Sequence, residues 1–194
     1  EYAITRAQVN DPSVRWDIIN GAGVMTISRF DEQTGMLARR AAQEFIDKQV
    51  KGVVLDLRDN GGGYLTAAQA LASVWLNDQV VVTEKTGGKV VDTVKTERHA
   101  LLGDMKTVVL TNGNTASASE IVAGALQEYG KATLIGEKTY GKGTVQKIVN
   151  LSGGRILKVT TARWYTPKGK NITKDDANAG KDTQMEAAQA VLAL

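Results

Sequence analysis

Short apolar runs alternate with amphipathic stretches along most of this chain. Gly52-Val53-Val54-Leu55-Asp56-Leu57-Arg58 and Thr107-Val108-Val109-Leu110 are nearly continuous apolar runs of strand length. That is the pattern of strands buried on both faces. Val14-Arg15-Trp16-Asp17-Ile18-Ile19 and Val24-Met25-Thr26-Ile27-Ser28 flank Asn20-Gly21 and predict a hairpin, with alternation in the second arm. A second hairpin is expected where Val80-Val81-Val82-Thr83 and Val90-Val91-Asp92-Thr93-Val94 flank Gly87-Gly88. Residues 34–50 carry Met36, Leu37, Ala41, Phe45 and Ile46 at helical spacing, and 64–76 is helical in pattern. Ser117 opens a further helix through Ile121-Val122-Ala123-Gly124-Ala125-Leu126. Strands are expected near 132–135, 144–149 and 155–164. A last amphipathic helix covers 183–194, with Met185, Ala188, Val191 and Leu192 on one face. Strands alternating with helices predict an α/β layered domain. No repeat, low-complexity tract or linker divides the 194 residues, so a single domain spanning 1–194 is expected.

Composition narrows the chemistry. The net charge of +3 is too small and too scattered to argue for nucleic acid. No apolar run approaches a membrane span. There is no cysteine, which removes disulfides, thiolate zinc sites and cysteine nucleophiles. The single histidine, His99, sits in the polar stretch Thr96-Glu97-Arg98-His99-Ala100 and reads as a loop residue. A hydrolase built on this chain therefore needs a lysine or a carboxylate as its base. No Asp/Glu/His grouping has metal-ligand spacing, so neither metal nor cofactor is expected.

Three segments carry candidate chemistry. In Thr111-Asn112-Gly113-Asn114-Thr115-Ala116-Ser117-Ala118-Ser119-Glu120-Ile121 a strand runs through a polar turn into a helix, with Ser117 at the helix mouth. Free N–H groups and the helix dipole there would stabilise a developing oxyanion. The same letters fit S-x-x-E, a capping box, which is the commoner meaning of that spacing. Asp59-Asn60-Gly61-Gly62-Gly63 follows a buried strand. Such a run either aims N–H groups at an anion or simply makes a tight turn. Gly136-Glu137-Lys138-Thr139-Tyr140-Gly141-Lys142-Gly143-Thr144 holds a glycine-flanked lysine. Lys142 is either a solvated loop cation or, if neutral, a base for a serine. Lys138 has an equal claim on local composition. Gln146 lies close enough to orient an amine without adding charge.

Taken together these segments resemble the carboxyl-terminal processing proteases, or tail-specific proteases. The resemblance rests on Leu55-Asp56-Leu57-Arg58-Asp59-Asn60-Gly61-Gly62-Gly63, Thr115-Ala116-Ser117-Ala118-Ser119-Glu120-Ile121, Gly136-Glu137-Lys138-Thr139-Tyr140-Gly141-Lys142-Gly143 and, more weakly, Trp164-Tyr165-Thr166-Pro167-Lys168-Gly169. It implies a Clp protease/crotonase-like α/β core and a serine endopeptidase that cleaves proteins near their C-termini. It assigns Ser117 as nucleophile, Lys142 rather than Lys138 as base, and Gln146 as the residue orienting the lysine. It places the oxyanion hole on the N–H groups of Ala118 and of Gly62 or Gly63. Glu120 is expected to be a helix cap that tunes the site. The implied partners are extended protein tails, a PDZ domain normally found upstream, and a second copy of the chain. The implied location is extracytoplasmic: periplasm, cell envelope or plastid lumen. The chain departs from the pattern in showing no PDZ segment, no upstream helices, and no Gly-x-x-Pro-Asp segment after Lys170-Asn171-Ile172. A latent peptide-binding core and a crotonase-like acyl-CoA enzyme are the competing readings.

Overall fold

The computed structural model describes residues 11–173. The expected helix at 183–194 lies outside them. β1 (Val14–Ile19) and β2 (Ala22–Ile27) form the antiparallel hairpin, turning at Asn20 and Gly21, both at positive φ. β3 (Val53–Asp56), β6 (Thr107–Thr111) and β7 (Thr133–Gly136) extend β2 in parallel, giving a five-stranded sheet in the order β1-β2-β3-β6-β7. A second, antiparallel sheet has the order β5-β4-β9-β8, from β4 (Val80–Thr86), β5 (Lys89–Lys95), β8 (Thr144–Asn150) and β9 (Ile156–Tyr165).

Three helices cover the hydrophobic surface. α1 (Thr34–Asp47) buries Ala38, Ala41, Ala42 and Phe45. The Phe45 ring lies flat on β2, where a Cβ at Gly23 would meet it at 2.7 Å. α2 (Leu65–Ala72) packs against both α1 and α3 (Ala118–Glu128). In α3 every residue from Ala118 to Leu126 is buried, the polar Ser119 and Glu120 included. It touches β7 in one sheet and β4 in the other. The core runs from Phe45, Leu55 and Leu57 through Trp75 to Leu126 and Trp164.

Two helices are shorter than their patterns predict, and both for local reasons. α1 stops where Gln49 takes a positive φ and Val50 N–H turns back to Phe45 O. α2 ends at Ser73, whose Oγ donates to Gln69 O at 2.7 Å while accepting Glu97 N–H. That back-bonding competes with helix continuation, and residues 73–75 go on as a turn.

Candidate active site

Parallel pairing gathers the three candidate segments. β3, β6 and β7 are neighbours that end on the same side of the sheet. The glycine run leaves β3, the serine turn leaves β6, and the loop bearing Lys142 leaves β7. Loops at the carboxyl ends of adjacent parallel strands are where α/β proteins place their sites.

Buried polar side chains stitch the loops together. Asn60 is fully buried; its Nδ2 donates to Ile27 O at 2.7 Å and its Oδ1 accepts Gly62 N–H at 2.8 Å. The Asn60 carbonyl accepts Ala116 N–H and Ser119 Oγ–H, both at 3.0 Å. Thr115 Oγ donates to Leu57 O at 2.8 Å, and Thr115 O accepts Tyr140 N–H at 2.9 Å. Asp59 accepts from the side chains of Asn112 and Asn114, which hold its carboxyl below the usual range. Arg58 is bidentate on Asp56.

Ser117 is the point of backbone strain, at φ 56° and ψ −116°. A non-glycine residue there is costly and persists only where the surroundings enforce it. What enforces it is Glu120. Its carboxylate, 1 % exposed, accepts Ser117 N–H at 2.7 Å, and Ser117 O accepts Ile121 N–H. The same carboxylate accepts Gly141 N–H at 2.6 Å and Lys142 N–H at 3.0 Å. Burial pushes its pKa up; hydrogen bonds from Thr139, Gly141, Lys142 and Ser117 pull the other way without cancelling the shift. Sequence reasoning gave Glu120 a cap. The structure adds that it ties the serine's turn to the lysine's loop, which no local pattern could reveal.

The glycines differ in their commitments. Gly62, at φ 98°, lies against the Ser117 turn, where a Cβ would come within 2.9 Å of Ala118 N. Its own N–H is spent on Asn60. Gly63, at φ 149°, is bridged to Phe30, with Phe30 N–H bonded to Gly62 O and Tyr64 N–H to Phe30 O. This pattern uses the flanking groups and leaves Gly63 N–H without an acceptor among the described residues. Ala118 N–H, first in α3, likewise has no intrahelical partner.

A cavity of about 550 Å³ joins these groups. Ser117, Ala118, Gly61, Gly62, Gly63, Lys142 and Gln146 all line it, with an apolar wall of Leu65, Val82, Ile121 and Trp164. Gln146 follows a bulge in the pairing of β8 with β9 and is exposed. Such bulges re-aim side chains beside active sites. Among the described residues no hydrogen bond joins Ser117 Oγ directly to Lys142 Nζ; such contacts commonly tighten only when substrate fills a site. Lys138 is exposed and does not line the cavity, and His99 is an exposed loop residue. Among the described residues no group of three or more Asp, Glu or His side chains is placed to hold a metal ion.

Comparison with known proteins decides the family. Residues 21–180 match the profile of peptidase family S41. The chain belongs to peptidase family S41. The resemblance drawn from its motifs is thereby confirmed at family level. The chain is 36 % identical over 174 residues to a “Probable CtpA-like serine protease” of Staphylococcus epidermidis, covering 89 % of this chain and 35 % of that protein. A Staphylococcus saprophyticus protein of the same description is 34 % identical over 182 residues. The chain thus spans about a third of the length of these relatives. Its fold is similar to that of the photosystem II D1 C-terminal processing protease, with TM-score 0.78 and 30 % identity over 98 % of this chain and 55 % of that one. A Bacteroides fragilis structure described as an S41 protease shares the fold at TM-score 0.70 and 24 % identity, over 96 % of this chain and 58 % of that one. The mixed α/β architecture expected from the sequence is that of S41 protease structures.

Proposed function

We propose that this S41 domain is a serine endopeptidase working through Ser117 and Lys142, and that its substrates are extended C-terminal protein tails. The observation that carries the reading is a strained serine at a helix N-terminus, sharing one cavity with a lysine and with two main-chain N–H groups that have no acceptor among the described residues.

In this mechanism Ser117 Oγ attacks a peptide carbonyl and the uncharged amine of Lys142 takes its proton. The oxyanion is held by the N–H groups of Ala118 and Gly63, the latter preferred because Gly62 N–H belongs to Asn60. The lysine then protonates the leaving amine, and a water hydrolyses the acyl-enzyme. Gln146 orients the amine without supplying a charge that would keep it protonated. A cavity lined by residues of β8, the edge strand of its sheet among the described residues, suits an extended chain added as a strand. An extracytoplasmic location and a PDZ partner domain complete the proposal, on the strength of the family resemblance alone.

The test is cleavage of an unfolded protein by the parent and by Ser117→Ala and Lys142→Ala. Both variants are expected to lose cleavage. Cleavage by Ser117→Ala or by Lys142→Ala at the parent rate rejects the reading.

A further inference from the structure

A base is placed by its backbone before its side chain. Lys142 stands between two glycines. Gly141 sits at φ 81°, and Gly143 is packed so closely that a Cβ would collide with Thr173 and with Asn171 Nδ2. Glycines lend a turn no stiffness of their own, so hydrogen bonds must hold this one. Glu120 takes the Gly141 and Lys142 N–H groups from the α3 side. The opposite side is held by β9 and the segment after it. Trp164 Nε1 donates to Lys142 O at 2.7 Å, and Trp164 N–H donates to Gly143 O at 3.0 Å. Asn171 Nδ2 donates to Gly143 O at 3.1 Å and to Trp164 O at 2.6 Å. Thr173 N–H donates to Asn171 Oδ1 at 3.0 Å, which fixes the end of the amide that faces the two carbonyls.

We propose that Trp164, supported by Asn171, is the positioning residue for Lys142. Its indole N–H locks the peptide that carries the base, and Trp164 and Lys142 line the same cavity. The proposal rests on the Ser-Lys reading above and adds a residue to it. Trp164 is 2 % exposed and its bond to the carbonyl of half-buried Lys142 is part-buried, so removing the donor costs that carbonyl a partner shielded from water on the tryptophan side. With that bond gone the Lys142 peptide can rotate between its glycines, and the amine loses its fixed approach to Ser117.

Trp164→Phe keeps the apolar wall and removes only the N–H. Trp75→Phe is the control: Trp75 is equally buried and donates to Thr107 Oγ at 2.9 Å, outside the cavity. Two quantities are measured on the full chain between pH 6 and pH 10. One is the rate of Ser117 labelling by a fluorophosphonate, and the other is kcat and KM on an unfolded protein. Trp164→Phe is expected to slow labelling and kcat by about tenfold to about hundredfold, the scale of a small misplacement of a catalytic group. KM should stay within about twofold and the pH profile should move. Asn171→Ala should move the profile the same way. Trp75→Phe should lower the melting temperature and leave rate and profile alone. Parent-like labelling and an unmoved profile in Trp164→Phe overturn the proposal, as does a loss matched by Trp75→Phe at equal melting temperature. Labelling of Ser117→Ala at the parent rate would instead defeat the underlying Ser-Lys reading.

Discussion

Glu120 concentrates the physics of the site in one side chain. Three main-chain N–H groups from two separate loops converge on it in a place water does not reach. Glu120→Ala strands those donors, and a stranded buried donor costs about 1–3 kcal/mol. Loss of about 3 kcal/mol or more is expected, read by chemical denaturation. Its raised pKa also makes stability depend on pH. Between the ordinary glutamate range and the higher folded value, the folded state holds a proton that the unfolded state has released. Stability therefore falls as pH rises through that window and levels off above it. Glu120→Gln should flatten the fall, as seen in melting temperatures across the acid range. Gly62 is a second residue-scale test. Alanine there meets Ala118 N and Ser117 Cβ at 2.9 Å and an unfavourable φ of 98°. Gly62→Ala is expected to cut turnover more than tenfold by intruding on the Ala118 N–H, measured as kcat at matched fraction folded.

At the scale of elements, the positions of strands were legible because short apolar runs bounded by turn residues read as strands, although in β3 and β6 one face is buried and the other only half-buried. β3 and β6 fall where Val53-Val54-Leu55 and Val108-Val109-Leu110 placed them. The ends of α1 and α2 were not legible, since they depend on Val50 turning back to Phe45 and on Ser73 meeting Glu97, contacts beyond local propensity. The site shows the same division. Ser117, Lys142 and the glycines stand out in local sequence and share a cavity in space. Asn60, Thr115, Glu120 and Trp164 act through partners tens of residues away, so their roles emerge only with the fold. Packing between elements gives its own prediction. Gly23→Ala drives a methyl into the Phe45 ring at 2.7 Å. A loss of about 1–3 kcal/mol is expected for such overpacking. Because β2 carries none of the candidate chemistry, kcat of the folded fraction should not change.

For the molecule as a whole, the division into two sheets matters most. Ser117 and Gly63 leave the parallel sheet, whereas Gln146 and Trp164 ride on the antiparallel one. Among the described residues α3 touches both sheets, the loop carrying Lys142 is bonded to α3 and to β9, and Gln69 of α2 donates to Lys95 O of β5. A shift of β9 is therefore felt by the lysine loop through the Lys142 and Gly143 carbonyls that Trp164 holds. On the proposed reading, any body that leans on that outer sheet holds a lever over cleavage, and it acts far from the bond that would be cut.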